Sequence, residues 1–168
     1  MDRLILLRHG KAEANAPSGK DFDRVLTERG RRDTLMVVRA LVEAGFVPDV
    51  ALVSPAARAR DTWAAAAEAL PGTTALFEPA LYNAEPDVIW AQAQDKGQNY
   101  GAVLIVAHNP GLHQLAATLA QRCSDAPDRI QLNAGFPTSA AAAFDFQASR
   151  FVLFTAKGLG GGAGGFAP

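Results

Sequence analysis

The chain has 168 residues, with 16 Lys plus Arg against 17 Asp plus Glu and a net charge of −1. One domain with a full core is expected at that length, and bulk-charge gripping of nucleic acid is excluded. Hydrophobic residues make up 49% of the chain, which excludes an acidic disordered chain; 34 of them are Ala, so close helix contacts are expected. Charge is uneven: residues 1–61 hold 11 of the 16 cations and 9 acids. The single cysteine, Cys123, can form neither an internal disulfide nor a zinc cluster, which fits a reducing compartment. No uninterrupted apolar run reaches the roughly 18 residues of a membrane span, and the first apolar run is too short for a signal segment. The expectation is a cytoplasmic protein, monomeric by default, without nucleic-acid or membrane partners.

Residues 3–7 are a short apolar run ending at Arg8-His9-Gly10, which reads as a buried parallel strand feeding a loop. Residues 11–26 are rich in Gly, Pro, Asn, Ser and Asp and form an exposed loop. Thr27 caps a helix through about Ala44, with Leu35, Val38, Leu41 and Val42 on one face and Gly45 as the stop. Residues 50–53 are a second buried strand. Ser54-Pro55 reads as N-cap and first residue of a helix to about Leu70. Residues 74–77 are a weaker strand, and Pro86 opens a helix through Asp95. Residues 102–107 are the clearest buried strand, followed by His108-Asn109-Pro110-Gly111 and a helix from about Leu112 to Arg122. Residues 139–146 and 150–156 form two strands joined at Gln147-Ala148-Ser149.

Strands alternating with helices imply an α/β fold: a three-layer α/β/α sandwich on a mainly parallel central sheet, with the closing hairpin as an antiparallel edge. The domain is expected to span 1–157. The segment 158–168, with six glycines in 11 residues, is expected to be a disordered tail.

Polar residues collect where the strands end: Arg8-His9-Gly10, then Ser54-Pro55 with Arg58 and Arg60, then His108-Asn109-Pro110-Gly111. Ligands of an open α/β sheet bind just outside the carboxyl ends of its strands. Arginines, histidines and helix N-termini at one rim describe a site for a compact dianion, most simply a phosphoryl group. Each tripeptide alone reads as easily as a turn; their joint placement carries the argument. Arg60 is about 200° around the helix from Arg58 and is the weaker ligand. Arg24 either pairs with Asp21 or Asp23 or reaches the site, and Asn15 is a further phosphate candidate. No Walker A loop, HExxH pair, nucleophile elbow or dinucleotide fingerprint is present, and His108 and His113 do not share a helix face.

Four segments, LILLRHGKAE at 4–13, DFDRVLTERGRR at 21–32, LVSPAARARDTW at 52–63 and VLIVAHNPGL at 103–112, resemble the histidine phosphatase superfamily with the phosphoglycerate mutase-like fold. Within it the chain is most similar to the small SixA-type phosphohistidine phosphatases. The resemblance covers roughly residues 1–156. It implies His9 as nucleophile and Arg8, Arg58 and His108 as phosphoryl ligands, with no metal and no cofactor. It also implies a phosphorylated protein bearing phosphohistidine, or a small phosphorylated substrate, as partner. One ring nitrogen of His9 attacks, and a backbone carbonyl near Gly10 is expected to hold the other. His108 is expected to become cationic beside a phosphoryl dianion. Many superfamily members carry a carboxylate general acid in the loop that here reads LYNAEPDV, where Glu85 is the only glutamate. A weak acid favours P–N over P–O cleavage, because imidazole leaves more readily than an alkoxide. The alternatives are a phosphatase of small phosphomonoesters or sugar phosphates, and a phosphate-binding module without turnover.

Overall fold

The computed structural model describes residues 1–123 and 126–160. Strand β1 (Arg3–Arg8) lies at the centre of a six-stranded sheet with β2 (Val50–Val53), β3 (Thr74–Phe77), β4 (Ala102–Ala107), β5 (Ala141–Asp145) and β6 (Arg150–Phe154). The spatial order is β3-β2-β4-β1-β5-β6. The first four are mutually parallel, β5 runs antiparallel to β1, and β6 antiparallel to β5. This is the three-layer α/β/α sandwich expected from the sequence, with helices on both faces.

The period of two in β1 divides the core. Leu4 and Leu6 face one layer and Ile5 and Leu7 the other, all four essentially inaccessible to solvent. The first layer packs α3 (Pro86–Lys96), α4 (Gly111–Ala120) and α5 (Ala126–Ala134) through Ile89, Leu112, Leu115 and Leu132. The second packs α1 (Glu28–Glu43), α2 (Ala57–Ala67) and the short α6 (Ala156–Gly160) through Val37, Leu41, Ala59, Ala66 and Leu159. Phe144 and Phe151 stack at 5.1 Å on the hairpin and close the first layer.

Thr27 caps α1 as expected, accepting from the Gly30 amide. The stop is a Schellman turn: Phe46 N donates to Leu41 O, Gly45 N donates to Val42 O, and Gly45 has φ +83°. The buried stripe of α1 is Thr34, Val37, Val38 and Leu41; Leu35 and Val42 are only half-buried, because the helix is rotated to bring Thr34 against Ser139.

Four further readings change. Ser54 does not cap α2, which begins at Ala57 with Ala56 at its N-cap; the Ser54 side chain turns instead to His108. Residues 126–134, given no element from the sequence, form α5. The first hairpin strand is shorter than expected at both ends, and the second starts at Arg150 as expected but ends two residues early. Residues 158–160, assigned to the tail, belong to α6, whose Leu159 packs on α1; the rest of the tail, 161–168, lies outside the described residues. Among the described residues no helix is long and apolar enough to cross a membrane.

Gly111 opens α4 directly against the loop before α3. A β-carbon there would collide with the Ala84 carbonyl, which is rigid backbone. Gly111→Ala is therefore expected to lower unfolding free energy by about 1–3 kcal/mol, read as a shift in urea midpoint at unchanged slope. An unchanged midpoint would show that the loop yields freely.

Candidate active site

Strands β1 and β4 pair in register from Arg3↔Ala102 to Arg8↔Ala107. His9 and His108 are therefore the next residues beyond two adjacent strand ends, and their rings sit 5.1 Å apart between centroids. The chain leaves β1 for α1 on one face and leaves β4 for α4 on the other. The two histidines thus flank the crevice where connections diverge, which is where an open α/β sheet binds its ligand. Strand β2, beside β4, brings Ser54 and then Arg58 to the same rim.

His9 is 9% exposed. Its Nδ1 donates to the Gly10 carbonyl at 2.8 Å. A carbonyl only accepts, so the neutral ring carries its proton at Nδ1 and keeps the Nε2 lone pair free. Burial, then the Arg58, Arg8 and Arg24 charges, push its pKa down to about 4 against the single opposing effect of the Gly10 bond. The loop is pinned on every side. His9 N donates to Ala107 O, His9 O accepts from Ser139 N, and Gly10 N donates to Thr62 Oγ1 at 2.9 Å. Thr62, fully buried, donates in turn to Arg58 O at 2.6 Å, joining the His9 loop to α2.

His108 is 3% exposed, with Nε2 2.7 Å from Ser54 Oγ. Burial chiefly, then His9 and Arg58, lower its pKa to about 3, with Asp21 opposing. Among protein groups alone His108 is therefore neutral, not cationic. Two nearby guanidiniums and the cost of burying charge outweigh one carboxylate.

Arg8 donates from Nη1 to Phe136 O at 2.7 Å, and burial lowers its pKa. Arg58, 4% exposed, donates from Nη1 to Asp21 O at 2.8 Å and from Nη2 to Asp21 Oδ2 at 3.0 Å. Asn109 shares the Phe136 carbonyl with Arg8. Five buried side-chain atoms among the described residues have no hydrogen-bond partner, and four belong to this rim: Arg8 Nε, Arg58 Nε, His108 Nδ1 and Asn109 Oδ1. Leaving such atoms unpaired costs stability. Their concentration around His9 marks a place built for a polar ligand.

The remaining candidates separate. Arg24 pairs with Asp21 Oδ1 through Nε and Nη2 and donates to Glu13 O, so it acts on His9 only through its charge. Asn15 is exposed on the loop beside Lys20 and Arg24. Glu85 is exposed at the N-cap of α3 and makes no capping hydrogen bond. Arg60 points to solvent, and Arg29, Arg31, Arg32 and Arg39 lie on the exposed face of α1, Arg29 beside Asp33. His113 donates to Leu132 O and stacks on Phe136, tying α4 to α5.

Sequence reasoning missed Asp21, Tyr82 and Thr62. Tyr82 meets His108 edge-on at 5.6 Å and donates to Asp21 Oδ2 at 3.0 Å. Arg24 first, with Tyr82 and Arg58 adding to it, holds the Asp21 carboxyl down at about 2 against the opposing effect of burial. Only the Asp21/Arg24 spacing carried a signal, an i,i+3 ion pair.

The histidine phosphatase superfamily (branch 1) model matches residues 4–88. An uncharacterized protein of Mycobacterium tuberculosis, Rv1276c, is 33% identical over 138 residues, covering 79% of this chain and 82% of its own. An uncharacterized chloroplastic protein of Arabidopsis thaliana, At3g52155, is 28% identical over 70% of this chain; the match spans 59% of its length. Among solved structures, the SixA protein of Agrobacterium tumefaciens superposes with a TM-score of 0.75 at 29% identity, over 90% of this chain and 95% of its own. With the four sequence segments placed around one pocket and the family model matching half of the chain, the protein belongs to the histidine phosphatase superfamily and is of the SixA type.

Proposed function

We propose that the protein is a metal-independent phosphatase that passes a phosphoryl group through His9, with phosphohistidine of a protein partner as substrate. The observation that carries this reading is the free Nε2 of His9 at a strand-end rim that also holds the unpartnered buried atoms Arg8 Nε, Arg58 Nε and His108 Nδ1. The SixA protein of A. tumefaciens, itself only provisionally designated a phosphohistidine phosphatase, supports the choice of substrate.

In this mechanism His9 Nε2 attacks phosphorus in line, and the P–N bond to the substrate imidazole breaks as a proton from solvent reaches that ring, while the phosphorylated His9 keeps its Nδ1 proton on the Gly10 carbonyl. Charge on the equatorial oxygens is met by the two guanidiniums and by His108. Neutral His108 serves without becoming a cation: with Ser54 Oγ–H donating to Nε2, the ring carries its proton at Nδ1 and donates from there. Water then attacks the phosphorylated His9, the P–Nε2 bond breaks, inorganic phosphate leaves, and the water's proton goes to solvent. No step needs a strong general acid, since imidazole is the leaving group. Glu85 is the proton donor only where the leaving group is an alkoxide.

His9→Ala is expected to reduce phosphate release from a phosphohistidine protein to background, with EDTA leaving the unaltered protein fully active; retained activity in His9→Ala removes the nucleophile assignment. Glu85→Gln should slow phosphomonoester hydrolysis and spare phosphohistidine. Faster cleavage of sugar phosphates than of phosphohistidine, measured side by side, would move the substrate to small phosphomonoesters, and no turnover on any substrate would leave a phosphate-binding module.

The acid limb of kcat/KM is expected near pH 4, where His9 protonates, and not near the ordinary histidine value of 6.5. Stability follows the same groups. Below about pH 6.5 the unfolded chain takes up protons on both histidines, while the folded protein does so only at about 4 for His9 and about 3 for His108. Unfolding free energy should therefore fall as pH drops from 6.5 toward 4, at up to about 2.7 kcal/mol per pH unit. Urea titrations across that range check it, and a flat profile contradicts neutral burial of the pair.

A further inference from the structure

Asp21 is held more completely than a carboxylate with 51% of its side chain exposed requires. Its Oδ1 accepts from Arg24 Nε at 3.0 Å and Nη2 at 2.8 Å. Its Oδ2 accepts from Arg58 Nη2 and from the Tyr82 hydroxyl, both at 3.0 Å. A carboxylate offers about four acceptor sites, so all of them are in use. Its backbone carbonyl accepts from Arg58 Nη1 at 2.8 Å. One residue in a single 3₁₀ turn, Asp21–Asp23, thus engages both terminal nitrogens of Arg58 and leaves only Nε without a protein partner. Arg8 is held at one terminal nitrogen, Nη1 on the Phe136 carbonyl, and likewise leaves Nε unpartnered.

We propose that Asp21 is a positioning residue that grips the far end of the Arg58 guanidinium so that its Nε–H faces the phosphoryl site. This rests on the phosphoryl-binding role proposed for Arg58. Three other roles fail on the same geometry. A carboxylate under four donors is ionised and has no proton to give, so it is not the general acid. It has no lone pair left for a leaving group. It is also a poor rival for the phosphoryl oxygens, since displacing it breaks four hydrogen bonds, two of them from Arg24.

Charge and geometry predict opposite signs for its removal. By charge alone, deleting an anion beside the pocket tightens anion binding. By geometry, deleting it frees Arg58 to turn and weakens binding. Asp21 is half in water, so its long-range repulsion is screened, whereas its bonds to the buried Arg58 are direct and charge-assisted. The geometric effect prevails.

The test combines tungstate titration calorimetry with ¹⁵N NMR of the Arg58 Nε–H in the tungstate-free protein, for the unaltered protein, Asp21→Asn, Arg58→Lys and the double variant. Asp21→Asn is expected to bind tungstate about tenfold more weakly and to speed rotation of the Arg58 guanidinium. It should add no further loss in the Arg58→Lys background, because the two residues act as one unit. Equal or tighter binding by Asp21→Asn, or a fully additive loss in the double variant, overturns the proposal. If the unaltered protein binds no tungstate, the phosphoryl-site reading fails by itself. The NMR arm then decides the positioning role, which an equally ordered Arg58 in both proteins would overturn.

Discussion

The parallel pairing of β1 with β4 is the constraint from which the rest follows. It ends both strands at the same level, Arg8 opposite Ala107, so the next residue on each is a histidine and the two rings meet. Because the chain departs to opposite faces after these strands, no helix covers the gap between them. The crevice is a consequence of topology, and its chemistry is a consequence of which residues stand one position past the strand ends.

Burial gives those residues their character. Two histidines between two arginines in a poorly hydrated rim cannot afford protons, so both are neutral in the physiological range. Neutrality leaves His9 one ring lone pair, and the Gly10 carbonyl decides that Nε2 carries it. Backbone carbonyls do much of the holding: Gly10 for His9, Phe136 for Arg8, Asp21 for Arg58. Carbonyls orient donors without adding a full charge. The positive charge at this rim is therefore largely preserved, with the half-exposed Asp21 carboxylate at its outer edge.

Much of this was legible in residue order. The apolar runs 3–7, 50–53 and 102–107 are continuous because both faces of a central parallel strand are buried, and that reads without a structure. Arg8, His9, Arg58 and His108 stand out because three strand ends carry them. The corrected readings share a cause. Ser54 looked like a helix cap because Ser before Pro usually is one, yet His108, 54 residues away, claims its hydroxyl. Leu35 looked like core, but the face of α1 is set by the Thr34–Ser139 contact across 105 residues. Helix α5 went unread because so little of it reaches the core, Leu132 being its buried residue, that no apolar stripe drew attention to it.

The sequence by itself determined the fold class, the order of elements and the four residues at the strand ends, because these rest on local periodicity and on rules that join strands to sites. Only the tertiary structure decided which nitrogen of His9 is free, that His108 is neutral, and that Asp21, Tyr82 and Thr62 belong to the site. Those properties depend on burial and on partners tens of residues distant. The arginines crowded into the first third divide in the same way. Their number is a property of the sequence, but which two lose water beside His9 and His108, and which lie along α1 in solvent, is decided by packing.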